Sequence, residues 1–395
     1  MTEPVELIEY ESKEVTLSPA GQRVLASLAG NRLTVAVGSR PGTCRVTAAQ
    51  YVGTIVTPEC NLLIRPKVSL QNLFALLGVG LPATAWQSEQ FAFGGSRDLL
   101  RELSQFFARS VQHATSAGLL HAYRTENERL VGVRGRIDLA TQIRHPGNVG
   151  RIACTFDEYT VDVIENRVLK AACRRLLQVA GVQFEVRRVL RQALATFEDV
   201  TDGPVRPEAI DWIVFTRLNR HYEPALRLAQ LVLRNLSLLD QAGAHGASAF
   251  LVDMNDLFQR YVTDRLSKVL RGRLEVIAEP DTRLGTKRRI TMYPDLVFRR
   301  AGADVFTGDL KYKLAEDGRG RSSDYYQLLA YLTALKLPRG VLIYCQTTGE
   351  APQRRVEVVH SDKELLTYSL DLTGSRPQLD SAIDGLASWI VAESG

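Results

Sequence analysis

Tyr293-Pro-Asp-Leu-Val-Phe298 and Val305-Phe-Thr-Gly-Asp-Leu-Lys311 are two β-branched and aromatic runs flanking Arg299-Arg-Ala-Gly-Ala-Asp304. Two such runs around a polar stretch with a glycine predict a β-hairpin turning near Gly302. With the turn centred there, Asp295 and Asp309 each stand seven residues from it and face one another across the strands. Asp309 and Lys311, two apart, then share a face. Paired carboxylates on a half-buried sheet repel, and need a bound cation or a shared proton. A hard divalent ion prefers carboxylate oxygens and waters, while an adjacent lysine can orient water as its ammonium or deprotonate it as its neutral amine, and steady charge on a phosphate. Asp295, Asp309 and Lys311 are therefore candidate catalytic residues for phosphodiester hydrolysis. The aspartates are the expected metal ligands, magnesium the expected cofactor, and manganese an acceptable substitute.

An isolated D-x-K tripeptide is common, and a surface hairpin decorated with ion pairs is the alternative. The surroundings argue against it. Ser322-Ser323-Asp324 predicts a helix cap, and the helix that follows carries Gln327 and Tyr331 at i and i+4, on one face. Upstream, Asp253 is placed to cap a helix whose buried side is Leu257, Phe258, Tyr261, Val262 and Leu266. Helix, strands, helix and then the strand Val341–Cys345 follow the αβββαβ-like order of a PD-(D/E)xK nuclease, a restriction-endonuclease-like α/β domain. Basic residues crowd this region, and Lys287, Arg288, Arg289, Lys313, Arg319 and Arg321 are candidate contacts to the phosphates of double-stranded DNA.

The remaining chain sets the context. It has 395 residues, 45% hydrophobic and 24% charged, with a net charge of +5, which suits a multidomain globular protein but does not by itself indicate nucleic acid. Five scattered cysteines with no CxxC pair support neither a disulfide framework nor a zinc or iron-sulfur site. The acidic N-terminus and the lack of any long apolar run predict a soluble cytoplasmic protein with no membrane role.

Short strands are predicted at Val5–Glu9, Leu33–Val37, Tyr51–Val56 and Leu62–Ile64. A helix is predicted from Ser96 as N-cap to a stop at Gly118, an extended stretch from Leu130 to Ile143, and helices from Val161 to Gly181 and from Pro224 to Leu239. The expected fold class is α+β multidomain. It has a β-rich N-terminal module with a helix (1–120), a mainly helical middle region (121–245) and the C-terminal α/β nuclease domain (246–395). The small flexible residues 241–248 mark the last boundary.

At these residues the sequence resembles the McrC family, the nuclease partners of McrB-type AAA+ motors in modification-dependent restriction. Tyr51-Val-Gly-Thr-Ile55 with Leu63-Ile-Arg-Pro-Lys67 is similar to its N-terminal motif. Arg134-Gly-Arg136 with Phe156 to Asp162, Asn166, Arg167, Lys170 and Ala171 is similar to its central motif. Met254-Asn-Asp-Leu-Phe258, Pro294-Asp295 and Asp309-Leu-Lys-Tyr-Lys313 with Gln327 and Tyr331 follow in family order. The resemblance implies docking of the upstream regions on a McrB-like AAA+ motor hexamer, usually GTP-hydrolysing, and stimulation of that motor. It also implies cutting by the C-terminal domain, self-association as a further contact, and a role in phage defence. Relatives often carry Glu where this chain has Gln259. A second metal-directed carboxylate is then either absent or shifted to Asp256, unless position 259 is simply a solvated helix residue.

Two other readings are open. One is a stand-alone RecB-like repair exonuclease, which shares the aspartates, D-x-K and Gln-x-x-x-Tyr. The other is a non-catalytic activator of an AAA+ ring, for which Gln259 is the only hint. No G-x-x-x-x-G-K-[ST] sequence occurs, so a P-loop motor must be another chain.

Overall fold

The computed structural model describes residues 4–68, 73, 76, 99–144, 150–179, 182–238, 247–285, 290–312, 322–346, 354–372 and 374–395. By contact the chain divides into two units where three regions were expected. The first comprises Met1–Thr54, Glu59–Gly80 and Leu251–Gly395, and the second Ile55–Pro58 and Leu81–Phe250. The N-terminal strands thus share a unit with the C-terminal domain, a grouping that linear boundaries cannot express.

In the first unit, Val5–Ile8 pairs in parallel with Asn61–Arg65, and Ser12–Thr16, Thr43–Ala48 and Leu33–Val37 form an antiparallel sheet in that order. The helix Pro19–Ala29, unforeseen from the sequence, starts with proline at its first position, where a missing N–H costs nothing, and the Ser18 side chain accepts from the Gly21 N–H.

The C-terminal sheet has six strands in the order Glu275–Ala278, Leu296–Arg300, Ala303–Lys311, Arg339–Gln346, Glu364–Asp371 and Arg354–Glu357. The first three are antiparallel neighbours, and the pairs from Ala303–Lys311 to Arg339–Gln346 and on to Glu364–Asp371 are parallel. Parallel neighbours require a crossover, here containing the helix Ser322–Leu335. Its Leu328 and Leu332 pack with Leu342, Tyr344 and Leu365, so Thr307, Asp309 and Lys311, in register with that side of the neighbouring strand, face this helix. Alternate residues face the other way. Phe306 meets Trp389 of the helix Arg376–Glu393, and Tyr312, just past the strand, meets Phe258 of the helix Met254–Val269. The Asp253 side chain caps that last helix by accepting from the Asn255 and Asp256 N–H groups, and Leu257, Phe258, Tyr261, Val262 and Leu266 are buried as expected.

The hairpin turns through Ala301 and Gly302, both at positive φ (49° and 83°), the two-residue geometry that matches strand twist. Arg300 faces Ala303, which carried straight along the strands would set Asp295 opposite Gly308. A bulge between Phe298 and Arg299 shifts the register by one, so Leu296 faces Gly308, and that register carried one residue past the strand sets Asp295 opposite Asp309. The opposition expected from a turn centred on Gly302 is reached by a tighter turn plus a bulge.

The second unit is less purely helical than expected. Its helices Leu99–Ala114, Ile164–Leu177, Phe184–Thr196 and Glu223–Asn235 accompany an antiparallel pair, Ala122–Leu130 with Ile152–Thr160, and the short strand Arg136–Ile137. The extended stretch expected over Leu130–Ile143 is corrected. Only its start and Arg136–Ile137 are strand, and Leu139–Arg144 is helix. The predicted helix stops are corrected too, since the helices close at Ala114, Leu177 and Asn235. Ser96, Gly181 and Leu239, assigned to helix boundaries, lie outside the described residues. Among the described residues no helix is long and apolar enough to cross a membrane.

Candidate active site

The strand Ala303–Lys311 carries Asp309 to the middle of the sheet, where it has no exposed surface. Neither carboxylate oxygen accepts a well-directed hydrogen bond, but the Lys311 Nζ lies 2.6 Å from Oδ2. Asp295 enters from the opposite strand, held by the buried Pro294 on one side and Leu296 on the other. Its Oδ2 accepts from the Leu310 N–H at 2.7 Å, which locks the carboxyl across the hairpin.

Electrostatics follow from burial. Desolvation raises the Asp295 carboxyl to about 7, the charge of Asp309 adds to the rise, and the Leu310 N–H and Lys311 oppose it. Asp309 is also raised, by burial first, with Lys311 and Asp295 opposing and Asp324 adding to the rise. Two carboxyls that resist ionisation side by side, with the Lys311 ammonium against one of them, form a donor set that a shared proton or a hard divalent cation would compensate. Among the described residues no group of three or more His, Cys, Asp or Glu could hold a metal.

Lys311 is steadied by a short chain of side chains. Its Nζ donates to Gln327 Oε1 at 3.1 Å, Gln327 Nε2 donates to the Tyr331 hydroxyl at 2.6 Å, and that hydroxyl donates to the Tyr293 carbonyl at 3.2 Å. Burial raises the Tyr331 phenol to about 12, so it stays a neutral donor. Asp295, Asp309, Lys311, Gln327 and Tyr331, five residues singled out from the sequence, therefore converge.

Others do not. Asp256 is exposed, pairs with Arg260 at 2.6 Å, and makes no hydrogen bond or ion pair to either site aspartate. Gln259 donates to Glu279 Oε1 at 2.8 Å. Sequence reading missed Glu279. It occupies the left-handed region (φ 46°), unusual for a residue with a Cβ, and its N–H donates to the Asp295 carbonyl at 3.3 Å. Nothing in its own sequence flags that conformation. The helix begins at Ser322, which puts Asp324 inside the first turn instead of at the cap; Asp324 is buried and accepts from the Tyr344 hydroxyl. Lys287, Arg288, Arg289, Lys313, Arg319 and Arg321 lie outside the described residues.

The central motif builds structure in the second unit. Asp162 accepts from Arg167, Arg124 and Thr201 and is held far below the usual carboxylate range, chiefly by Arg167. Asn166 donates to the Leu120 and Val161 carbonyls, and the buried Lys170 to the Val200 carbonyl. Gly135 (φ 70°) is required where a Cβ would fall 2.4 Å from the Thr155 carbonyl oxygen, and Arg134 stacks 4.0 Å from the Phe156 ring centre.

The McrBC 5-methylcytosine restriction system component family matches residues 46–345. The type IV methyl-directed restriction enzyme EcoKMcrBC of Escherichia coli K12 is 22% identical over 329 residues, spanning 78% of this chain and 94% of that protein. Among solved structures, the half-complex from the tetradecameric assembly of Thermococcus gammatolerans McrB AAA+ hexamers with bound McrC has a chain of the same fold. The TM-score is 0.62 at 19% identity, over 98% of this chain and 100% of that one.

Proposed function

The chain belongs to the McrBC family of 5-methylcytosine restriction system components, as its McrC-type member, and from that premise we propose that it is the nuclease subunit. In this reading the C-terminal α/β domain is of the PD-(D/E)xK type and cuts double-stranded DNA with magnesium, once the chain is assembled with and stimulates a McrB-like AAA+ motor hexamer. The observation that carries the proposal is the meeting of Asp295, Asp309 and Lys311 at the end of one hairpin, with the buried Asp309 carboxyl against the Lys311 ammonium and Asp295 tied across to the Leu310 N–H. The McrB hexamers of the Thermococcus gammatolerans assembly and the methyl-directed activity named for the Escherichia coli relative support the partner and substrate class.

Asp295 and Asp309 would hold the ion, which when bound would polarise the scissile phosphate and acidify a water. Lys311 sits beside them with its ammonium fixed by Asp309 and Gln327, so it can donate to the attacking water or to a non-bridging phosphate oxygen as negative charge develops there. Gln327, anchored by Tyr331, keeps that ammonium from swinging away to solvent. The chain has no P-loop of its own, so nucleotide hydrolysis falls to the partner.

The test is a metal series on the chain assembled with its AAA+ partner, nucleotide and methylated duplex. Magnesium and manganese should support cleavage and calcium should not, because its larger, looser shell positions water poorly. Cleavage that survives excess chelator overturns the proposal.

A further inference from the structure

Glu9 directly follows the strand Val5–Ile8, 303 positions before Tyr312, and has no exposed surface. Its Oε1 accepts from the Lys67 backbone N–H at 2.6 Å and from the Tyr312 hydroxyl at 2.8 Å. Its Oε2 is buried with no partner. A half-satisfied buried carboxyl is costly, and burial raises its pKa accordingly. An apolar residue here would avoid that cost, so the carboxyl calls for an explanation beyond packing.

What it holds supplies one. Tyr312 is the residue immediately after Lys311, and successive strand residues point to opposite faces. Lys311 faces the helix Ser322–Leu335 and Asp309, whereas Tyr312 is buried on the other side, with its ring 6.1 Å from that of Phe258. Glu9 therefore grips the end of the catalytic strand from behind. The grip also has a fixed footing, because the Glu9 N–H donates to the Arg65 carbonyl and the Glu9 carboxyl accepts from the Lys67 N–H, two residues past the end of the strand Asn61–Arg65.

We infer that Glu9 is a positioning residue for cleavage: through Tyr312 the N-terminal strands fix the end of the catalytic strand and so the reach of the Lys311 ammonium to Asp309 and Gln327. The inference rests on the nuclease reading above. It makes the N-terminal strands part of the cutting machinery, because an ångström of slack at Tyr312 is an ångström of slack at Lys311.

The experiment measures single-turnover cleavage, KM for DNA, partner nucleotide hydrolysis and melting temperature on the full chain assembled with its AAA+ partner. The variants are Tyr312→Phe, Glu9→Ala, their double, and Glu9→Gln, with Asp309→Ala alongside. Tyr312→Phe keeps the ring and the Glu9 bond to Lys67, so it should fold normally. It should nevertheless cut about tenfold more slowly or worse, as small misplacements of a catalytic group do, with KM and motor hydrolysis unchanged. Glu9→Ala should lose a similar factor and the double variant should be no slower, because both remove one contact. Glu9→Gln keeps an acceptor oxygen for both donors and should stay within about twofold of wild type. A wild-type rate in Tyr312→Phe, or losses that multiply in the double variant, overturns the inference while Asp309→Ala remains silent. A wild-type rate in Asp309→Ala overturns the nuclease reading itself.

Discussion

Replacing Asp309 by Asn should stabilise the metal-free protein while abolishing cleavage. Opposed cross-strand side chains stand about 5 Å apart at Cβ, and two unit charges at that distance repel by about 3 kcal/mol at an effective dielectric of 20. The Lys311 ammonium, 2.6 Å away and only partly exposed, offsets part of this, yet the Asp309 carboxyl remains raised, so its ionised form is still disfavoured in the fold. A net gain of about 1 kcal/mol from Asn is expected, or about 2–4 °C in melting temperature. Its pH dependence follows from the same shifts. Both carboxyls are raised above their unfolded values, Asp295 to about 7, so through Asp295 the native state keeps a proton that the unfolded chain has released between about pH 4 and 7. The stability this pair contributes is present below pH 4 and lost as pH rises through about 7. The Asn variant should therefore gain at pH 8 and show no gain near pH 4. Thermal melts in chelator at several pH values measure it. Magnesium at a hundred times its Kd should raise the wild-type stability by about 2.7 kcal/mol and leave the variant unmoved. A variant that melts several degrees below wild type at pH 8 would refute the claim that these charges are strained.

Lys311→Gln should melt below the wild type at pH 8 in chelator, because it removes the ammonium that offsets the two carboxylates, and where it is folded should lose cleavage by about a hundredfold or more, as loss of a donor to developing charge does; melts and single-turnover kinetics decide it. Gln327→Ala should cost about tenfold in rate, or about 1.4 kcal/mol, with unchanged DNA affinity, because it frees the Lys311 ammonium without touching the aspartates. Gln259→Glu should exchange the bond to Glu279 for a like-charge contact on a partly exposed surface, lowering stability by less than about 1 kcal/mol. It should not tighten magnesium binding, and calorimetric titration that showed tighter binding would place that side chain at the metal. The purified chain without its motor should cut slowly or not at all, as a nicking assay at physiological salt can measure.

The hairpin was legible because its two runs are β-branched and aromatic and its turn is Ala-Gly. The bulge at Phe298 was not, because nothing in Val-Phe-Arg marks it, and the correct register came from two compensating displacements. Gln327 and Tyr331 could be placed because helical spacing alone puts them on one face. The helix Pro19–Ala29 carried its Ser-Pro start signal but lacks charges in its first or last turn to frame it. The strand Ile152–Thr160 and the helix Phe184–Thr196 were passed over because their neighbours carried stronger patterns. Glu9, Glu279 and Asp324 were beyond reach for a shared reason: their roles depend on partners tens to hundreds of residues away, which spacing along the chain does not encode.

The most direct test pairs cutting with motor activity in a single preparation of Asp309→Ala assembled with its AAA+ partner, nucleotide, magnesium and methylated DNA. The account predicts normal nucleotide hydrolysis by the partner, a melting temperature in chelator no lower than that of the wild type, and no DNA product. DNA cut at the wild-type rate by that folded variant would contradict it.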